Sequence, residues 1–140
     1  MELEGAKRCL QYLLDAGVQV PEFTSDRHVG IAKWLREEHP EISHYFDIWH
    51  LARSITKKIF KASKDKDCEK LKDWLQAVRN HLYWCATSTR QGFKEMIIAK
   101  WESLIRHISN KHENHGNDLF PRCAHGELEP RLWIKVGKMI

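Results

Sequence analysis

From Trp49 to Ile108 apolar residues recur at helical spacing with few interruptions, and this stretch limits the fold more than any other feature of the chain. Leu51, Ile55, Ile59 and Ala62 form one face of a helix whose other side carries Arg53, Lys57, Lys58 and Lys61. After the charged turn Lys64-Asp65-Lys66-Asp67, the positions Cys68, Leu71, Trp74, Leu75, Val78, Leu82 and Cys85 fit a long amphipathic helix. Phe93, Ile97, Trp101, Leu104, Ile105 and Ile108 fit another. Each of these two has an apolar stripe to bury, so the expectation is an antiparallel pair, with Thr87-Ser88-Thr89 offering cap residues for the second helix.

The first fifty residues read differently. A helical stripe, Leu3, Ala6, Leu10, Leu13 and Leu14, ends at Gly17, a residue suited to a left-handed cap. A short strand is expected near residues 21 to 25, since Pro21 is tolerated where a strand begins. Ile31, Trp34, Leu35 and Glu38 then give one helix, closed by Pro40. A second strand, Ile42 to Ile48, alternates two sets that both contain apolar side chains, which predicts a central strand buried on both faces. Strand, helix, strand, helix is the order of an α/β unit. Residues 110 to 130 hold Asn, His, Gly and two prolines without periodicity and predict a long loop.

Composition narrows the class. With 42% apolar and 10% aromatic residues the chain is able to build a core, which a disordered tail is not. A net charge of +4, with nine histidines that gain charge in acid, favours a polyanionic partner without requiring one. The four cysteines, at 9, 68, 85 and 123, form no CxxC pair and no secretory framework, and Met1-Glu2-Leu3-Glu4 does not open a signal peptide. A reducing compartment, nuclear or cytoplasmic and not secreted, is therefore expected. No apolar run approaches the roughly 20 residues of a membrane span.

Four groups of residues carry candidate chemistry. Asp26 follows the first expected strand in the run Ser25-Asp26-Arg27-His28, where a carboxylate either holds a divalent cation or caps the next helix. Asp47, with His50 three residues later, has the same two readings and is taken as structural or as a neighbour of the site. The basic face Arg53, Lys57, Lys58 and Lys61 is either a phosphate-contacting surface or a solvated one. His112, His115, Cys123 and His125 lie in one loop, with His107, His81 and Cys85 on the paired helices, and imidazole plus thiolate is a natural zinc set. The spacing HxxH then CxH matches no standard finger, so chance clustering of histidines is the alternative. Trp74 and Trp101, on apolar helix faces, are expected to be core anchors rather than base-stacking platforms.

A family resemblance spans Thr24 to Trp133. Ser25-Asp26-Arg27-His28, Trp34-Leu35-Arg36, His44-Tyr45-Phe46-Asp47-Ile48-Trp49-His50, Lys57-Lys58, Trp74, Asn80-His81-Leu82-Tyr83-Trp84-Cys85, Lys100-Trp101-Glu102-Ser103 and Phe120-Pro121-Arg122-Cys123-Ala124-His125 resemble the middle of a DDE-type transposase with a ribonuclease-H-like core, from transposon-derived animal proteins. The resemblance implies an α/β fold: a truncated ribonuclease-H-like core with a short sheet over residues 1–63, then a mainly α-helical insertion over 64–140 that contains the His/Cys loop. It implies DNA as partner, Mg²⁺ as ancestral cofactor, and strand cleavage and transfer by two-metal chemistry. Enzymes of this type use three carboxylates, of which Asp26 matches the second. The short stretch before Asp26 and the end at Ile140 lead to the expectation of a catalytically incomplete fragment. Its open sheet edge would then be covered by a missing segment or a second copy. The alternative is a domesticated DNA- or protein-binding module, zinc-stabilised through the loop.

Overall fold

In a computed structural model, residues 1–90 and 92–135 are described. They form a mixed α/β structure with five helices and one short parallel sheet. The helices are α1 (Glu2–Asp15), α2 (Val29–Glu38), α3 (Ile48–Ala62), α4 (Leu71–Thr87) and α5 (Lys94–Ile108), and the strands are β1 (Glu22–Ser25) and β2 (Ser43–Phe46). None of the helices is long and apolar enough to cross a membrane. The chain divides into two compact units, one of Met1–Leu51 and one starting at Ala52.

In the first unit, β1 and β2 pair in parallel with Glu22 opposite Ser43 and Ser25 opposite Phe46. A parallel pair needs a long crossover, and α2 supplies it. The amide of Ser43 donates to Pro21 O at 2.9 Å and that of Asp47 to Ser25 O at 2.7 Å, extending the ladder at both ends. The core is Leu10, Ile31, Trp34, Leu35 and Ile42, packed by Leu3, Ala6, Val20 and Phe23. Leu10 and Leu35 are each only 1% exposed, a burial that stabilises by roughly 2 kcal/mol per side chain.

Two local expectations fail here. The second strand is four residues long, and its side chains are exposed except for the half-buried His44, so it is not buried on both faces. Tyr45 and Phe46, neighbours whose side chains point to opposite faces of the pair, are 48% and 52% exposed, so neither face is closed at that end. The α1 stripe is also buried only in its first part: Leu13 and Leu14 remain exposed. Gly17 does adopt the left-handed conformation (φ 76°), and the amides of Gly17 and Val18 close the helix end on Leu14 O and Leu13 O.

In the second unit, α4 and α5 run antiparallel: Trp74 meets His107 near one end, and Lys100 reaches Ser88 near the other. Trp74, Val78 and Leu104 are the buried centre, with Ile55, Ile59, Ala77, Trp101 and Ile108 packed on it. Trp133 and Ile134 join this core, Trp133 lying 5.9 Å from Trp74 between ring centroids and Ile134 N–H donating to Ile108 O at 2.9 Å.

The turn between α4 and α5 corrects the capping expectation. Thr87, Ser88 and Thr89 donate their hydroxyls backward to Tyr83 O, Trp84 O and Cys85 O, so they finish α4 instead of starting α5. The buried Lys100 ammonium completes that end by donating to Ser88 O, Ser88 Oγ and Thr89 Oγ1 at 2.9–3.0 Å. A cation among the final carbonyls of a helix is favoured by the helix dipole.

Candidate metal centre

The site begins where α5 stops. Asn110 takes a left-handed conformation (φ 59°), which few residues other than Gly, Asn and Asp tolerate, and the chain doubles back immediately after the last helical turn. This places the His112 ring 5.0 Å from that of His107 on the helix. The loop then folds on itself: Cys123 N–H donates to His112 O at 2.9 Å, and His115 N–H donates to Pro121 O at the same distance. Those two bonds carry Cys123 and His125 back to the end of α5.

The result is a cluster of four donors. The ligand-capable atoms of His107, His112, Cys123 and His125 all lie within 4.8 Å of one another, a grouping able to hold a metal ion such as zinc. A zinc tetrahedron built with Zn–N of about 2.0–2.1 Å and Zn–S of about 2.3 Å has N···N edges of roughly 3.4 Å and S···N edges of roughly 3.5 Å. His107 Nδ1 stands 3.2 Å from His125 Nε2 and 3.5 Å from Cys123 Sγ. Two edges therefore already have tetrahedral length. The widest, within 4.8 Å, would close by up to about 1.4 Å on an ion.

Hydrogen bonds set the ring tautomers as a metal requires. His125 Nδ1 lies 2.8 Å from Gly126 O, so it donates there and leaves Nε2 bare. His112 Nε2 lies 3.0 Å from Asn110 Oδ1, so it donates there and leaves Nδ1 bare. That His112 Nδ1 is buried and has no hydrogen-bond partner. Fixing one ring nitrogen by a neighbouring acceptor while the other faces the ion is the usual outer-sphere arrangement of metal-binding imidazoles.

Electrostatics point the same way for the histidines. Burial first, then the charges of His125, His112, His81 and Arg131, pull the His107 pKa down to about 4. Burial, then His125 and His115, lowers that of His112. Both rings are held neutral, the form that binds a metal. Burial raises the Cys123 thiol, so a cation is what would make its thiolate favourable there.

His115, one of the four loop residues expected as ligands, stands outside this group, and His107 on α5 takes the place. His81 and Cys85 are outside it too. His81 Nε2 pairs with Lys100 O at 2.8 Å, and burial lowers its pKa. Cys85 is fully buried, and burial pushes its thiol up to about 11. His107 was legible only as a helical histidine near the loop; its signal is its place in the last turn of α5, three residues before the left-handed Asn110.

The first unit holds the carboxylates. Asp26 and Asp47 directly follow the paired residues Ser25 and Phe46, so they occupy equivalent places at the C-terminal ends of two parallel strands. Asp26 Oδ1 accepts from His28 N–H at 3.2 Å, and Asp47 Oδ1 accepts from Trp49 N–H at 2.9 Å. The N-cap of α2 is His28 itself, whose Nδ1 accepts from Ile31 N–H at 3.2 Å, so Asp26 turns the chain one step before the helix begins. His50 Nε2 lies 3.9 Å from Asp47 Oδ2, an ion pair only when the ring is protonated.

On α3, Arg53, Lys57, Lys58 and Lys61 are all exposed, while Ile55 and Ile59 face the core. Among the described residues no carboxylate pairs with Lys57, Lys58 or Lys61. In comparisons with known proteins, no family model, curated protein or solved structure matched the chain.

Proposed function

We propose that this chain is a zinc-stabilised binding module derived from a DDE-type transposase, with one zinc ion held by His107, His112, Cys123 and His125. The cluster of four donors with two tetrahedral-length edges carries the zinc part of this reading, and the ancestry rests on the sequence resemblance alone. The set is closed, three imidazoles and one thiolate, as in structural zinc sites, where no position is left open for substrate. The ion's role is to hold a loop that has no regular secondary structure and, through it, to seat Trp133 and Ile134 on the α4–α5 core. Elemental analysis of the purified protein tests this: one zinc per chain is expected, with loss in Cys123→Ser and in His107→Ala. Retention of zinc in both variants would contradict the ligand set.

A second reading rests on the two strand-end acids. Asp26 and Asp47 sit where α/β folds place ligands, beyond the carboxyl ends of parallel strands. We infer that Asp26 descends from a Mg²⁺-binding site of a ribonuclease-H-like core, with Asp47 a structural neighbour of that site, and that Arg53, Lys57, Lys58 and Lys61 contact DNA phosphates without reading sequence. Two carboxylates each bonded to a turn amide do not make the two-metal geometry that strand transfer needs, so this chain by itself is expected not to cut DNA. Binding to duplex DNA that weakens steeply with salt, and weakens further in Lys57→Gln/Lys58→Gln, would support the phosphate contacts; a salt-independent interaction would oppose them.

A further inference from the structure

The histidine left out of the donor set has its own place beside the sulfur. Asn114 (φ 55°) and Gly116 (φ 75°), on either side of His115, both take left-handed backbone conformations, and the His115 amide is tied to Pro121 O. The turn so formed pushes the imidazole inward: His115 is 9% exposed, the most buried side chain of the loop, and its ring lies 5.8 Å from that of Phe120. Its Nδ1 is buried without a partner. Its Nε2 has one polar neighbour among the described residues, Cys123 Sγ at 3.6 Å. That separation suits an N–H···S bond, sulfur being larger than oxygen.

We infer that His115 is a positioning residue that donates Nε2–H to the metal-bound thiolate of Cys123. This rests on the zinc reading above. A site with a single thiolate concentrates its negative charge on one sulfur atom, and among the described residues its other polar neighbour is His107 Nδ1 at 3.5 Å, which as a zinc ligand would have no proton to donate. A hydrogen bond to an ionised acceptor is stronger than one to a neutral one, so the bond gains most when the metal is bound. It would drain charge from the sulfur, lower its nucleophilicity and slow release of the ion. Burial of the ring beside Phe120 shields the bond from water.

The test uses the full chain loaded with ¹¹³Cd or Co²⁺. Nitrogen NMR of the cadmium form should show His115 protonated on Nε2, with a scalar coupling from that proton to ¹¹³Cd relayed through sulfur. A bare Nε2, or direct nitrogen–cadmium coupling at His115, would overturn the inference. His115→Gln keeps an N–H near the same place, whereas His115→Phe keeps only the ring. Both should retain one Co²⁺ per chain, but His115→Phe should move the sulfur-to-cobalt charge-transfer band to lower energy and speed alkylation of Cys123, followed by peptide mass spectrometry, about tenfold. His115→Gln should stay near wild type. An unshifted band and unchanged alkylation in His115→Phe would show a packing role and nothing more. Failure of the wild-type chain to bind either metal would overturn the zinc reading itself, and it would be seen before any variant is made.

Discussion

The two compact units hold themselves together by different means. Met1–Leu51 has a sheet, a crossover helix and an apolar core of Leu10, Ile31, Trp34, Leu35 and Ile42, and its two strand-end acids, Asp26 and Asp47, accept from turn amides. The unit from Ala52 onward has a helical pair with a core of its own, then a loop whose contacts are largely imidazole, thiol and backbone. Burial of aliphatic and aromatic side chains builds the first. In the second, the loop's polar groups are brought together at a cost in desolvation, visible in the buried, unpartnered His112 Nδ1 and the lowered His107 pKa. The contrast teaches that both units exclude apolar side chains from water, while the second also gathers, beyond its helical core, donors that could hold a metal ion.

Removal of metal should break that contrast most sharply. Structural zinc contributes on the order of 10 kcal/mol of apparent binding free energy in small zinc domains. A chelator, or Cys123→Ser, should therefore abolish amide-exchange protection at Cys123 and Ile134 while leaving the β1–β2 ladder protected. Loss of protection in both units together would show that they do not differ in this way.

Core lesions come next. Leu35→Ala should cost about 3 kcal/mol in the first unit, and Trp74→Ala about 4 kcal/mol in the second, read by denaturant unfolding. Leu35→Ala should leave zinc content unchanged, while Trp74→Ala should also weaken zinc binding, because Trp74 touches both His107 and Trp133. A smaller effect is expected at Lys100, whose truncation to Met strips three hydrogen bonds from the end of α4 and should cost about 2 kcal/mol.

Acid supplies a further distinction. His107 titrates near 4 in the folded metal-free chain against 6.5 for an ordinary histidine, so below 6.5 the unfolded chain binds more protons. Stability of the second unit should accordingly fall as pH drops from about 6.5 to about 4, and proton competition for the ligands acts in the same direction when zinc is present. The smallest effect is predicted for Asp26→Asn, which keeps an oxygen able to accept from His28 N–H and should change stability by less than about 1 kcal/mol. Mg²⁺-dependent nicking of DNA that vanishes in this variant would restore a catalytic reading of the strand end.

Much of the architecture was legible in the residues. Pro40, Gly17 and the 3.6-residue recurrence of Ile31, Trp34 and Leu35 mark α1 and α2 closely, and the stripes through Trp74 and Trp101 mark the antiparallel pair. Alternation at 42–48 overstated β2, since a period of two shows which residues share a face but not whether another layer covers it. Hydroxyls at 87–89 were assigned to the wrong helix because Ser and Thr serve carbonyls behind them as readily as amides ahead. The metal site was legible as a set of residue types and not as a set of ligands. Which histidine reaches the sulfur depends on three left-handed residues, Asn110, Asn114 and Gly116, and the path they impose on the loop is tertiary information.

Zinc K-edge X-ray absorption on the purified chain tests the central claim most directly. The account predicts one zinc per chain with a shell of about three nitrogen atoms near 2.0 Å and one sulfur atom near 2.3 Å, the sulfur lost in Cys123→Ser. A chain free of zinc after growth in zinc-replete medium, or a shell of light atoms alone, would contradict it.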